Sequence, residues 1–330
     1  MNLCKIIMTV SKSSPYLGLI LTKHLHIGVV GAAFEKGQSK KGTSLGPKVI
    51  RDSSVLKNLK DLGHQIEDFG DLTESNVQID KVNHFKVKNW HEVASYNKSV
   101  SDKVFQICQS NRKVLTLGGD HSIGAGTVHG HLTAYPDSCV IWVDAHADIN
   151  TVKSTPSGNM HGMPLSFVLK ELQDEPSSPE WNWVKNRLSA KNLAFIGLRD
   201  VDPEERKIIH ELGICSLSME EVDLMGIKEA VRFALNMIDP LHRRPLHVSF
   251  DVDALDPVEA PSTGTTVRGG LTLREGMTLL ETVNTTGRLS ALDIVEVNPA
   301  IGNSEQVGQT VEAARRLVLA AFGNSRQGNS

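Results

Sequence analysis

The sequence predicts one α/β domain, a parallel sheet with helices packed on both faces. Three observations carry this. Six short apolar runs rich in β-branched residues recur along the chain, each continuous rather than alternating, as strands covered on both faces require. Longer stretches with apolar residues at helical spacing lie between them, the alternation of a wound α/β fold. No Gly/Ser or Pro linker and no internal repeat divides the 330 residues, so a length that would admit two domains reads as one.

The runs, in order, are "HIGVVGA" from His26, "KVLTLGG" from Lys113, "CVIWVDA" from Cys139, "LAFIGLRD" from Leu193, "LHVSFDVDA" from Leu246 and "LSALDIVEVNP" from Leu289. Ser95–Ser110 reads as a helix through Val100, Val104, Ile107 and Cys108, and Pro203–Leu212 and Lys228–Ile238 read likewise. "QDEPSSPEWNW" (Gln173–Trp183) is expected to be a surface loop, and "GNSRQGNS" (Gly323–Ser330) a mobile tail. His129 and His131, on the helix expected after Asp120, read as surface histidines, and His84, His91, His210 and His242 are grouped with them.

Composition narrows the class. Hydrophobic content of 40%, charged content of 22% and a net charge of −3 leave no basic field for nucleic acid and no polybasic membrane patch. No apolar stretch reaches the ~18–20 residues that span a bilayer. The expected partners are small molecules or further copies of the chain. Cys4, Cys108, Cys139 and Cys215 include no CxxC pair, which reads as reduced, buried thiols in a reducing compartment. The N-terminus carries Lys5, Lys12 and Lys23 but no acid before Glu35 and no Arg before Arg51. An acid-poor leader fits either a mitochondrial transit segment or an untargeted extension, so the expected location is cytoplasmic or mitochondrial.

Two glycine-rich stretches resemble phosphate loops and fail the test. "GQSKKGTS" (Gly37–Ser44) places Thr43, not Lys, after the second glycine, and "GVVGAAFEKG" lacks the GxG turn of a dinucleotide fingerprint. Both read as tight turns after a strand.

The strand ends are unusual in what they carry. Asp120 and His121 follow "TLGG"; Asp144, His146, Asp148 and Asn150 follow "IWV"; Asp251, Asp253 and Asp256 follow "VSF"; Glu296 and Asn298 follow "LDIV". In open parallel sheets, ligands bind at the carboxyl ends of the strands, so these groups are expected to converge. On an extended chain, residues two apart share a side, which would aim Asp144, His146 and Asp148 together, and Asp251 with Asp253. Converging carboxylates repel and are costly to bury unpaired, and the motifs themselves hold no Arg or Lys to compensate them. Divalent cations are the economical answer. His121, Asp144, His146, Asp148, Asp251 and Asp253 supply four anions and two imidazoles, enough for two ions with shared carboxylates. A thiol-free, oxygen-rich set with two histidines favours Mn²⁺ over Zn²⁺. Such a pair makes a hydroxide near neutral pH and clamps a hydrolytic transition state.

"GGDHS", "DAHADIN" and "SFDVDALDP" resemble the three signature segments of the ureohydrolases, the arginase–agmatinase family of binuclear manganese enzymes. The likeness runs from about His26 to Arg326 through "KGQ", "IGLRDVDP", "GGLTLREG" and "EVNP". It implies a three-layer α/β/α fold with a mainly parallel eight-stranded sheet (arginase/deacetylase-like), residues 1–23 as an extension outside the family pattern, a catalytic domain over 24–322 and a tail over 323–330. "DINTVKSTPSGNMHG" and "GLRDVDP" are similar to the arginase branch. The implied reaction is hydrolysis of L-arginine to L-ornithine and urea by a metal-bridging hydroxide, in arginine metabolism such as the urea cycle, by a homotrimer with two Mn²⁺ per subunit.

By the same resemblance His121, Asp144, Asp148 and Asp251, completed by His146 and Asp253, would hold the metals. His161 would shuttle protons and Glu296 would orient the guanidinium. Asn150, Thr155 and Ser157 would read the α-carboxylate, Asp202 would lie near the α-amino nitrogen, and Thr265 would line the pocket. The chemistry makes independent sense of these roles. A guanidinium is always cationic and resists attack by water, so a generated hydroxide, an orienting carboxylate and a proton donor for the leaving amine are each needed. Asp148 could take the proton of the attacking water. The competing expectations are another ureohydrolase such as agmatinase, which has no α-carboxylate to read, and a catalytically silent metal-binding homologue.

Overall fold

The computed structural model describes residues 24–73, 86–172, 178–324 and 326. The predicted extension 1–23, residues 173–177 of the expected loop, most of the tail beyond 324, and Cys4 and His84 lie outside the described residues. Eight strands form one sheet: β1 (His26–Ala32), β2 (Gln65–Asp71), β3 (Lys113–Gly118), β4 (Cys139–Val143), β5 (Leu193–Leu198), β6 (Cys215–Ser218), β7 (Leu246–Asp251) and β8 (Leu289–Val295). All neighbours run parallel in the order β2-β1-β3-β8-β7-β4-β5-β6. The six apolar runs are therefore strands β1, β3, β4, β5, β7 and β8.

The helices are α1 (Gly46–Asp52), α2 (Val55–Asp61), α3 (Trp90–Gln109), α4 (Gly124–Ala134), α5 (Pro164–Val168), α6 (Pro203–Leu212), α7 (Met219–Met225), α8 (Ile227–Ile238), α9 (Leu273–Thr285) and α10 (Ser304–Ala321). The expected stretch Ser95–Ser110 is the body of α3, α6 matches its predicted range, and α8 begins one residue before its own. The three-layer arrangement follows from the two-residue period of the strands. Ile141 and Val143 of β4 pack on the side of α8, α9 and α10, while Val140 and Trp142 pack on the side of α3, α4 and α5. Both faces are apolar, so the run shows no alternation in sequence. Among the described residues, no helix is long and apolar enough to cross a membrane.

Helix α4 corrects one expectation. It is buried all round, wedged between the sheet and α3. A Cβ at Gly126 would strike the carbonyl oxygen of Asn97, and one at Gly130 that of Ser101, so these glycines let the two helix backbones touch. His129 and His131 are consequently buried. His129 shares a hydrogen bond with Ser101 (2.7 Å) and His131 with Ser290 (2.6 Å). Burial holds both imidazoles below their ordinary pKa, His129 at about 4. His210 and His242 are exposed as expected, whereas His91 is half-buried and faces Glu180 at 3.0 Å.

The strand order places the candidate site. The chain passes from β3 to β4 by stepping over the positions later filled by β7 and β8. The four strands whose ends carry the polar residues thus become four consecutive central strands, β3-β8-β7-β4, and their carboxyl ends open on one crevice.

Candidate metal centre

Each central strand stops where its polar freight begins. β4 ends at Val143 and β7 at Asp251. Side-chain alternation ends at those points. Residues 144–150 bend away from extended geometry, with Asp148 at φ 52°, and Asp253 sits in a 3-10 turn over Val252–Ala254 rather than on a strand. The turn is held by the Asp251 carboxylate, which accepts the N–H of Asp253 at 2.8 Å. Convergence is achieved by turns, and the turns bring the expected groups together.

Two adjoining clusters result. His121, Asp144 and Asp148 form one, and Asp144, His146 and Asp253 form the other, each able to aim its donor atoms at a single ion. Around Nδ1 of His121 stand Asp144 Oδ2 and Asp148 Oδ2 at 3.0 Å and Asp251 Oδ2 at 3.2 Å. Asp144 Oδ1 and Asp253 Oδ2 stand 3.2 Å from Nδ1 of His146. One ring nitrogen has one lone pair or one N–H, so it cannot satisfy three carboxylates at once. A cation among them can, and the donor set fits divalent metal ions.

The electrostatics agree. Burial, then the charges of neighbouring carboxylates, push Asp251 well above the ordinary range, Asp253 up, and Asp148 up to about 6. Burial opposes ionisation of Asp144 too, but His121 and His146 hold it far below the usual range. Burial likewise opposes charging of the two imidazoles, and the surrounding carboxylates override it and raise both.

The tautomer of His121 can be read from the far side of its ring. Nε2 lies 3.0 Å from Ser249 Oγ, and that hydroxyl donates to Asp293 Oδ2 at 3.2 Å. Asp293 is fully buried and also receives Thr127 (2.6 Å) and His247 (2.8 Å), and His247 and Thr127 hold its carboxyl below the usual range against the pull of burial. A hydroxyl has one proton. Spent on Asp293, it leaves Ser249 as acceptor for Nε2–H, which frees the Nδ1 lone pair for the cluster. Trp142 completes the support, stacking on His121 with ring centroids 4.0 Å apart and donating to Asp144 Oδ2 at 3.1 Å. Trp142 and Ser249 each precede a cluster aspartate by two residues on a strand, so two-residue periodicity could have found them. Arg199 was also missed. Its guanidinium binds the backbone carbonyls of Asp253 (2.6 Å), Ala254 (3.2 Å) and Leu255 (3.3 Å), placing a cation behind the aspartates.

Of the remaining expected residues, Glu296 and Thr265 touch residues of the clusters and His161 faces Glu296. Glu296 is buried at φ 66°, a conformation costly for a non-glycine residue, and its Oε1 accepts the N–H of His121 at 2.8 Å. His161 Nδ1 faces that same Oε1 at 3.6 Å. Burial would lower His161, but Glu296, Asp148 and Asp120 raise it to about 9. Asn150 Nδ2 donates to Asp202 Oδ2 at 2.8 Å, and Asp202 caps α6 in a reciprocal box with Glu205. Thr265 Oγ1 donates to Asp253 Oδ2 at 2.8 Å. Thr155 and Ser157 lie farther out on the loop, where their hydroxyls accept the N–H groups of Gly158 and Asn159 at 3.1 Å.

A parallel α/β sheet whose central strands end in two adjoining histidine–carboxylate clusters defines a metal-binding class of protein. Comparison with known proteins makes it specific. The model of the Arginase family matches residues 25–323. Arginase-1 of Oryctolagus cuniculus is 47% identical over 310 residues, covering 93% of this chain and 96% of that protein. Arginase-2, mitochondrial, of Homo sapiens is 44% identical over 312 residues, covering 94% and 88%. The native structure of arginase from Bacillus caldovelox superposes with a TM-score of 0.84 at 32% identity, covering 92% of this chain and all of that one. The chain belongs to the arginase family.

Proposed function

We propose that the protein hydrolyses L-arginine to L-ornithine and urea at a binuclear manganese centre held by His121, Asp144, His146, Asp148, Asp251 and Asp253. Similarity to named arginases over 93% of the chain supports the reaction. The observation that carries it is Glu296: a buried carboxylate at the rim of the two clusters, facing His161, suits a planar cation such as a guanidinium. Manganese is favoured because the donors are oxygen-rich, thiol-free and include two imidazoles. Held by those six residues, two divalent cations would supply an activated water as nucleophile at neutral pH.

The chain's own groups do the rest. Glu296 grips the guanidinium and holds its carbon over the clusters. Asp148 takes a proton from the attacking water. His161, which faces Glu296 at 3.6 Å, delivers a proton to the leaving amine. Asn150, Thr155, Ser157 and Asp202 read the amino-acid end of the substrate, with Thr265 beside the clusters. Residues 24–322 act as one catalytic unit, assembled as a homotrimer in the cytoplasm or mitochondria.

The test is urea release from a substrate panel after Mn²⁺ is restored to chelator-stripped protein. Arginine should be turned over far faster than agmatine. A reversed preference, or no urea after Mn²⁺ reconstitution, sinks the reading.

A further inference from the structure

The failed phosphate loop after β1 has a different employment. Its carbonyls and amides reach back to the carboxyl end of the sheet. Gly37 N–H donates to Asp120 Oδ2 at 2.7 Å, and Gly37 C=O accepts the N–H of His161 at 3.0 Å. A Cβ at Gly37 would strike Asp120 and Ser122, so a glycine is needed for this approach. The next residue, Gln38, is buried, and its Nε2 donates to Glu296 Oε2 at 2.5 Å. Room for the carboxamide comes from Gly264, where a Cβ would lie 2.9 Å from Gln38 Oε1. The loop is tied down on both sides: Lys40 Nζ donates to the Gly264 carbonyl, and Glu35 Oε2 accepts from Gly42 N (2.7 Å) and Ser44 Oγ (2.8 Å). One dipeptide therefore fixes the backbone of His161 and the side chain of Glu296 together.

We propose that Gln38 is a positioning residue that aims the Glu296 carboxylate at the substrate's guanidinium. This rests on the arginine reading above. Glu296 is pinned at both oxygens, Oε1 by the N–H of His121 and Oε2 by Gln38, which fixes the plane of the carboxylate. Oε2 keeps a second acceptor site for the guanidinium, and Oε1 shares its own with the facing His161. An amide is suited to this place because it donates without bringing charge. A lysine or arginine there would neutralise Glu296 and compete with the substrate, and a glutamate would repel it.

The experiment compares wild type with Gln38→Met, which keeps length and loses the donor, and Gln38→Glu, which sets a carboxylate against Glu296. Steady-state urea release from arginine is measured with bound Mn²⁺ per subunit and thermal midpoint. Loss of a hydrogen bond to a charged group predicts kcat/KM lower by roughly 10- to 100-fold. Most of it should appear in KM, with metal content unchanged and Gln38→Glu the worse of the two. A merely structural role would lower metal content or melting temperature and leave KM per metallated subunit alone. Active wild type with both variants within about twofold in KM and kcat overturns the positioning role. Wild type that releases no urea overturns the arginine reading, and this role falls with it.

Discussion

Asp144 and His146 meet through one carboxylate oxygen: Oδ1 lies 3.2 Å from the imidazole Nδ1, leaving Oδ2 to His121 at 3.0 Å. Asp144 is thus common to both clusters, while Asp253 belongs to one. Asp144→Ala should strip both metals, and Asp253→Ala should weaken one far more than the other. Metal analysis after dialysis against limiting Mn²⁺ checks this. Equal stoichiometry in the two variants would show that the carboxylate is not shared.

Glu296 lies at the rim of the clusters, and its contact with His121 is to the backbone N–H, not the ring. Glu296→Gln keeps an acceptor for that N–H and removes the charge that the guanidinium needs. Metal content should stay near wild type while kcat/KM for arginine falls by roughly 100-fold or more, the cost of two charge-assisted bonds. Near-normal turnover would break the orientation argument.

The fold and the site were legible to different depths. The six inner strands announced themselves because both faces are buried, but the edges did not. β2 is largely exposed and carries Glu67, Asp68 and Asp71, the charged character of a protected edge, and β6 is four residues long. In the site, residue types and their strand-end positions were readable, since few other arguments place four aspartates after apolar runs. What escaped was conformation and distance in sequence. The left-handed backbones of Asp148 and Glu296 depend on tertiary contacts, and Gln38 meets Glu296 across 258 residues of chain. His131 escaped because α4 is packed on every side, a burden carried by its glycines rather than by an apolar stripe.

In the proposed reading, Asn150 and Asp202 meet the amino-acid end of the substrate. Asn150 Nδ2 donates to Asp202 Oδ2, and Asp202 also caps α6. Asp202→Ala should raise KM for arginine by roughly 10- to 100-fold, and for agmatine by a similar factor, since agmatine keeps the amine that Asp202 would face. Loss of the cap should cost about 1 kcal/mol of stability. A lower thermal midpoint with KM unchanged for both substrates would assign Asp202 to the helix alone.

Glu205 provides a pH dependence with a defined sign. Its oxygens accept the N–H groups of Ile149 (3.0 Å) and Asp202 (3.1 Å) beneath the site. Burial first, then the charge of Asp148, raise its carboxyl from 4.5 to about 7. The folded state therefore holds a proton that the unfolded chain has already released between those values. Stability from this group is greatest at low pH and declines as pH rises through about 7. Glu205→Gln cannot titrate. In chelator-stripped protein, the variant should gain on wild type by on the order of 3 kcal/mol as pH rises across that window. Urea denaturation at a series of pH values measures the difference. A gap between variant and wild type that stays flat with pH would mean that Glu205 is ionised throughout, its charge compensated by the two backbone donors.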